Sequence, residues 1–523
     1  MRFAVTQIKA ALYTLVGKFD ISLQPNKNAP SSPTVLLAIT YIYLSWNFDY
    51  WRKRKIFGPK PLPFFGNYPK SAVLLQNVMY EQQELYEKYK EKHRFIGIFE
   101  RRTPKLLILD SKLVSDIYVK YFKHFQINDS SNSFDKHLDP IFTRNLFASQ
   151  HDDWRNTRTE LSPAFTQSKL RQIFSMIWSS GQKMIGHIDM QIGNGRQRTI
   201  DTKDLTSRFT SDTVMNCIYG LEANDSVHRS LVEWFSPSLT TNIVNVLLST
   251  FPILTCVYKP SFFPTQLTQW FYDVMCDATK YRHQNQSNRN DFLNFLLERK
   301  HVKNYSNEDI AEFAAIFLFD GFETSSMILA QALYHIAKNE ECQMRLRAEI
   351  FNHFPNDERP TADAINEMQY LDNIVNETIR IGPSAFLLAK CCTEPIELHD
   401  YDGTKLLVEA GTSIQLPVFA LHHDERFYEK PNSFQPERFE LQSPNELKRR
   451  GQFLAFGDGQ RICIGQKFAG FQIKLALVEI VRRYSITVNS KTTEPIIASP
   501  LDSLLTPISE IYLDFESIDE KND

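Results

Sequence analysis

The longest helical pattern in the chain starts at Ile310, where apolar residues recur at helical spacing to about Ala337. Ser306-Asn307-Glu308-Asp309 precedes it with the residue types of a capping box, so the pattern predicts one helix of about thirty residues. A helix of that length crosses a whole domain. Its middle reads Asp320-Gly321-Phe322-Glu323-Thr324-Ser325. Glycine inside a helix costs about 1 kcal/mol relative to alanine, so Gly321 predicts a local opening with the Thr324 hydroxyl beside it. A kink with a back-bonded threonine would place the same residues there.

A second apolar run, Val35 to Trp46, lies in a stretch without charge between Lys27 and Asp49. It is shorter than the roughly 20 residues that span hydrocarbon, so a short buried or interfacial helix is the competing reading. Trp46, Tyr50 and Trp51 follow as an expected interfacial belt, and then Arg52-Lys53-Arg54-Lys55 as a cytoplasmic basic cluster. A cleaved signal peptide carries its basic residues before the apolar run, so residues 34–51 predict a signal anchor with its amino end in the lumen. Residues 1–33 form an unexplained extension. Residues 52–69 predict a basic, Pro-rich hinge, since Pro59, Pro61 and Pro63 stiffen the backbone and exclude helix. From residue 70 onward no low-complexity linker or internal repeat appears, which favours one large domain over 70–523.

Charge then narrows the function. With 59 basic and 61 acidic side chains the net charge is -2, which leaves no nucleic-acid footprint. Hydrophobic residues make up 42% of the chain, enough for a large core. The seven cysteines are scattered without a disulfide-like framework, which favours a reducing compartment and a body facing cytosol.

One cysteine stands apart. Cys463 lies in Phe456-Gly457-Asp458-Gly459-Gln460-Arg461-Ile462-Cys463-Ile464-Gly465, a loop suited to hold a single thiolate against a metal. Glycines let backbone N–H groups turn toward the sulfur, Phe456 can shield it, and Arg461 can pair with a carboxylate of a bound group. No C-x-x-C or Cys/His cluster at zinc spacing lies nearby. A buried free cysteine in a tight turn is the ordinary alternative. The spacing F-x-x-G-x-R-x-C-x-G resembles the haem-binding signature of the cytochrome P-450 family, and the resemblance extends over about residues 56 to 515.

Other elements match in order. Gly321, Glu323 and Thr324 resemble the family's Gly-x-Asp/Glu-Thr element over the haem, where the resemblance implies that Thr324 and Glu323 help deliver protons to oxygen. Asp320 departs from the usual Ala or Gly. Trp154 and Arg158, four apart on one helix face, resemble the element that binds a haem propionate. His151 stands where many relatives have Gly, and Lys390 where the family usually has a propionate-binding Arg. Glu377 and Arg380, three apart on a helix, with Arg438 of Phe434-Gln435-Pro436-Glu437-Arg438-Phe439, match a buried ionic triad behind the cysteine loop.

The resemblance implies a mainly α, triangular haem domain with a small β region, preceded by a membrane anchor. It also implies Cys463 as the axial ligand of haem b iron, with Trp154, Arg158, Lys390, Phe456 and Arg461 around the cofactor. Electrons would come from NADPH through NADPH-cytochrome P-450 reductase, with cytochrome b5 a further candidate partner. The site would be the cytoplasmic face of the endoplasmic reticulum, hence the microsome membrane. The motifs are similar to those of insect microsomal members, which suggests xenobiotic or insecticide detoxification or hormone metabolism. A haem-thiolate isomerase or dehydratase, and a catalytically silent haem-binding sensor, are the alternatives, and NADPH consumption separates them from a monooxygenase. Phe134, Phe147, Phe313, Phe317, Ala385 to Leu388 and Leu501 to Leu505 are candidate walls for a lipophilic small-molecule substrate.

Overall fold

The computed structural model describes residues 32–518, apart from 236–237, 260, 286–288, 356–357 and 503. Most of the extension assigned to residues 1–33 therefore lies outside the described residues. The helices that frame the site are α1 (Ser32–Ser45), α2 (His151–Leu161), α3 (Gln167–Ile192), α4 (Thr202–Ile218), α5 (Leu239–Thr250), α6 (Asn307–Lys338), α7 (Gln369–Ile381) and α8 (Gln466–Val481). The chain is mainly helical with small sheets, as expected.

The predicted long helix is α6, 32 residues in length. Its capping box is complete: the Ser306 hydroxyl accepts from the Asp309 N–H at 3.0 Å, and the Asp309 carboxylate accepts from the Ser306 N–H at 2.8 Å. These bonds satisfy donors that the first turn leaves without helical partners. Among the described residues α6 is the one helix long and apolar enough to cross a bilayer, yet it is the spine of the main core. It packs along α4 and α8, and α3 lies against both of those helices. The helix runs unbroken past Gly321, so the expected opening is not found. A Cβ at Gly321 would touch Val214 of α4 at 3.4 Å and Phe468 of α8 at 3.6 Å. The residue suits close helix approach rather than a break.

A second core surrounds a five-stranded sheet. Its strands are β1 (Phe95–Glu100), β2 (Thr103–Ile108), β3 (Ile127–Asn128), β5 (Leu388–Cys391) and β8 (Ser413–Leu416), in the order β1-β2-β8-β5-β3. β1 and β2 pair antiparallel, and β8 lies parallel to β2. β5 pairs antiparallel with both β8 and β3, which brings Lys390 opposite Asn128. Strand β4 (Gln197–Asp201) completes a three-stranded sheet in the order β4-β10-β9, with β9 at Tyr484–Val488 and β10 at Tyr512–Ser517. Strands β6 (Ile396–His399) and β7 (Lys405–Val408) form a hairpin.

The amino-terminal segment divides at Ser45. Along α1, Val35, Leu37, Ile39 and Tyr41 are exposed, whereas Trp51 is buried in the sheet core and its indole N–H donates to the Ile98 carbonyl at 2.9 Å. Trp51 is thus a core residue and not the interfacial aromatic expected of it, because its polar edge finds a buried partner. The end of α1 rests on α5: the Tyr43 hydroxyl donates to the Thr250 carbonyl, and its ring stacks on Phe251 at 5.6 Å. Leu239, Ile243 and Leu247 of α5 are exposed at a spacing of four, so α5 carries an exposed apolar row of its own beside that contact.

Candidate active site

The Cys463 loop is folded back on itself before α8. The Cys463 N–H donates to the Phe456 carbonyl at 2.9 Å, closing the turn. Gly459 has φ +63°, and a Cβ there would lie 2.3 Å from the Tyr118 carbonyl oxygen, so only glycine fits this approach. At Gly465 a Cβ would lie 3.9 Å from the Cys463 sulfur. Phe456 is half-buried against the main core, where it covers the same turn.

Cys463 is exposed, yet it sits deep in the molecule, and so does Asp320 on α6. Both therefore face an internal cavity and not bulk solvent. Burial pushes the Cys463 thiol up to about 11, while the N–H groups of Gly465 and Gln466 and the Arg158 charge act in the opposite direction. The loop alone does not ionise this thiol at neutral pH. A bound cation would, since a coordinating thiol is deprotonated outright.

Three cations converge on the same cavity. Arg158 of α2 donates to the Ile462 carbonyl at 2.8 Å, next to the cysteine. Arg461 donates to the carbonyls of Leu146 and Ser149 at 2.9 and 3.0 Å, and its guanidinium lies 4.4 Å over the Trp154 ring. Lys390 of β5 is buried, with its ammonium 2.8 Å from the Asn128 amide oxygen and 5.3 Å over the Tyr118 ring. Among the described residues none of the three pairs with a carboxylate, and Arg461 Nε is buried without a partner. Burial lowers Arg461 to about 10, and burial with the Arg461 charge lowers Lys390 to about 7. Buried charges are paired in folded proteins, so this cluster fits a bound group that carries carboxylates.

On the α6 wall, the Thr324 hydroxyl donates to the Asp320 carbonyl at 2.7 Å, the back-bonded arrangement. The Asp320 carboxylate accepts from the Asn145 amide at 2.9 Å, and burial raises it to about 6. Glu323 points elsewhere. Its carboxylate meets the Lys203 ammonium of α4 at 2.7 Å, and that ammonium also reaches the Ser326 hydroxyl at 3.0 Å. The structure thus brings Thr324 and Cys463 to one cavity but turns Glu323 toward α4.

Behind the loop the ionic triad is formed. Glu377 accepts from Arg380 at 2.7 and 2.9 Å and from Arg438 at 3.1 Å, with Glu377 and Arg380 fully buried. The Gln435 N–H adds a bond to the same carboxylate at 2.9 Å. Arg380 also donates to the His422 carbonyl at 2.8 Å, and His422 Nε2 accepts from the Leu454 N–H at 2.8 Å. Burial and the Arg380 charge depress His422 to about 3, so the ring is neutral and free to accept. The triad is thereby wired to the backbone just before Phe456.

The family model for cytochrome P-450 matches residues 57–515, and the site just described lies entirely within that match. The chain belongs to the cytochrome P-450 family. It is 33% identical to a probable cytochrome P-450 28a5 of Drosophila melanogaster over 93% of its own length and 98% of that protein's. It is 30% identical to cytochrome P-450 6j1 of Blattella germanica over 90% of its own length and 94% of the relative's. These insect relatives agree with the resemblance read from the motifs. This P-450 is accordingly a haem-thiolate monooxygenase, an oxidoreductase.

Two departures from the family pattern gain a physical meaning. His151 has φ +45°, a left-handed conformation that glycine adopts freely and other residues adopt at a cost of roughly 1–2 kcal/mol. Lys390 keeps a charge at the usual arginine position but is held by Asn128 as a point donor, without a bidentate fork. Phe313 and Phe317, expected on the substrate side, are buried in the main core, where Phe317 meets Phe165 and Phe292 at 5.1 and 5.2 Å. Phe319 instead joins Phe142 and Phe262 in an aromatic cluster with Phe134. Sequence reasoning missed Lys203 and Asn145, the partners of Glu323 and Asp320. They stand 120 and 175 residues away, and no local pattern marks them.

Proposed function

We propose that this P-450 holds haem b between Cys463 and α6 and inserts one oxygen atom from O2 into a lipophilic small molecule. The electrons would come from NADPH through cytochrome P-450 reductase, with cytochrome b5 as a second donor. The observation that carries this reading is the meeting of a lone cysteine and three unpaired cations at one cavity under α6. Haem iron there supplies the binding and reductive activation of dioxygen, which no side chain in the cavity can supply. Cys463 would supply its thiolate ligand, shielded by Phe456, while Arg158, Arg461 and Lys390, with Trp154, would hold the propionates.

Thr324 would then position a proton at its hydroxyl, on the cavity face of α6. Asp320, one turn earlier, is a second proton holder, whereas Glu323 would act only indirectly, through its ion pair with Lys203 on the α4 side. Thr324→Ala should keep NADPH oxidation but lower product per NADPH roughly tenfold or more, with peroxide making up the difference. The pH dependence has a definite sign. Below about pH 6 the Asp320 carboxyl keeps its proton and can donate it, and above that it cannot. Thr324→Ala should therefore lose more coupling at about pH 7.5 than at about pH 5.5, and adding Asp320→Asn should flatten that difference. Equal coupling in wild type and both variants would reduce Thr324 to a back-bonded helix residue.

The exposed apolar residues of α1 and of α5, which meet at Tyr43, support a seat on the cytoplasmic face of the endoplasmic reticulum membrane. Within residues 34–51, the part seated in the membrane would end near Ser45, since Trp51 belongs to the core, and residues 52–69 would be the hinge to the haem domain of 70–523. Deleting residues 1–45 should release much of a folded, spectrally intact protein from microsomes. Protease protection of the body in sealed microsomes would overturn the topology. For the reaction itself, the test is product analysis with a lipid and steroid panel, reductase and NADPH. Turnover without NADPH would favour an isomerase or dehydratase, and no turnover a silent haem protein. The similarity of the motifs to those of insect microsomal members makes xenobiotics, insecticides and hormones the first substrates to try.

A further inference from the structure

A cavity of about 590 Å³ lies further along α6 toward its carboxyl end, on the helix face that also carries Asp320 and Thr324, between the carboxyl halves of α6 and α7 and the segment 495–511. Its volume is that of a small-molecule site. Met79, Ala498 and Leu505 line it, and behind them Met327 and Phe386 complete one buried apolar cluster. Met327 follows Thr324 by three residues on α6, and Phe386 and Leu505 belong to the segments expected to back the substrate pocket.

The cavity also presents polar groups that have nothing to bind. Gln331 is 7% exposed, its amide nitrogen is buried without a partner, and Gly382 leaves room for it, since a Cβ there would lie 1.6 Å from its oxygen. His335 lies flat on Phe434 at 4.6 Å, and among the described residues no hydrogen bond reaches its ring nitrogens. His423 is 6% exposed, stacks on Phe419 and uses Nδ1 on the Phe419 carbonyl, which leaves Nε2 toward the cavity. Burial, with nearby cations, holds His335 near 3, and His423 is held near 4 chiefly by burial. Lys338 at the rim is neutralised by Glu494 at 2.6 Å. The interior therefore offers hydrogen bonds and ring faces but no net charge, and a charged ligand would meet no counter-charge.

We infer that this cavity is a second ligand site, for a neutral lipophile with one hydroxyl or carbonyl, whose occupant adjusts substrate binding through the Met327, Phe386 and Leu505 wall. The site itself stands apart from the haem reading, whereas its effect on substrate binding rests on that reading. The test uses full-length holoenzyme and a diazirine-bearing neutral sterol as the probe, with clotrimazole saturating the haem side. Photolabelling should be saturable, should map to peptides containing Tyr80, His335 or Phe434, and at saturating sterol should change less than twofold when clotrimazole is present. Asn432→Trp, which fills the exposed mouth, should cut labelling at least tenfold, and Gln331→Leu at least threefold, with the ferrous carbon-monoxide spectrum unchanged. The sterol should also move the midpoint of a clotrimazole titration at least twofold in wild type and not in Asn432→Trp. Labelling that is unsaturable, abolished by clotrimazole or indifferent to Asn432→Trp would overturn the site. Labelling that behaves as expected beside an unmoved midpoint would overturn the coupling alone. A missing thiolate spectrum in wild type would instead count against the haem assignment, independently of where the sterol attaches.

Discussion

Cys463→Ala is expected to abolish the thiolate-specific ferrous carbon-monoxide band and to reduce monooxygenase turnover to background. The expectation rests on isolation: among the described residues no group of three or more His, Cys, Asp or Glu is placed to hold a metal ion, so no neighbour can take over the axial position. The other six cysteines lie outside this loop, and four of them, Cys217, Cys342, Cys391 and Cys392, are buried. The loop should survive the change, since its closing bond from the residue 463 N–H to Phe456 is a backbone bond and Gly459 is untouched. Haem held only through Arg158, Arg461 and Lys390 would have the porphyrin anchored at its edge without a sulfur donor on the iron. Cys463→His should retain more haem than the alanine variant, yet still lack the thiolate band. A thiolate spectrum in Cys463→Ala would remove the central assignment.

Glu377→Ala should prevent accumulation of haem-loaded protein altogether. The carboxylate takes four hydrogen bonds, from Arg380 twice, Arg438 and the Gln435 N–H, and its removal leaves the Arg380 cation buried with carbonyl partners only. Breaking a buried pair in this way costs about 3–5 kcal/mol, a large part of the roughly 5–15 kcal/mol that holds a folded domain together. The damage should reach the haem side, because Arg380 holds the His422 carbonyl and His422 holds the Leu454 N–H ahead of the cysteine loop. Lys112→Ala serves as the control. It breaks an exposed i,i+4 pair with Asp116, should cost no more than about 0.5 kcal/mol, and should leave the spectrum intact. Haem content and thermal unfolding of the two variants check the contrast. Near-normal haem loading in Glu377→Ala would mean that the triad does not support the loop.

Where chemistry depends on residues a few positions apart, the sequence carries it in legible form. The capping box at Ser306 and Asp309, the same-face pair Glu377 and Arg380, and the glycines around Cys463 are local arrangements, and each is found as read. Backbone geometry sets which side chains meet over three or four residues, so spacing alone is informative there. At His151 a residue standing in a glycine's place signals a backbone demand, and φ +45° is that demand.

Partners brought from far along the chain follow a different rule. Periodicity says that Phe317 faces a core but not that Phe165 and Phe292 fill it, and an interfacial Trp51 reads the same as a buried one until Ile98 is beside it. The family resemblance implies a proton-delivering role for Glu323 beside Thr324, but successive helical residues point about 100° apart, and Lys203 of α4 occupies the direction Glu323 takes. That Arg158, Arg461 and Lys390 converge without an anion depends on how α2, the cysteine loop and β5 close around one space. Local sequence determined the cysteine loop, the long helix and the triad's helical half. Only tertiary closure decided which charges are paired, which are left for a cofactor, and which cavity each faces, because burial and partnership are properties of segments meeting in space.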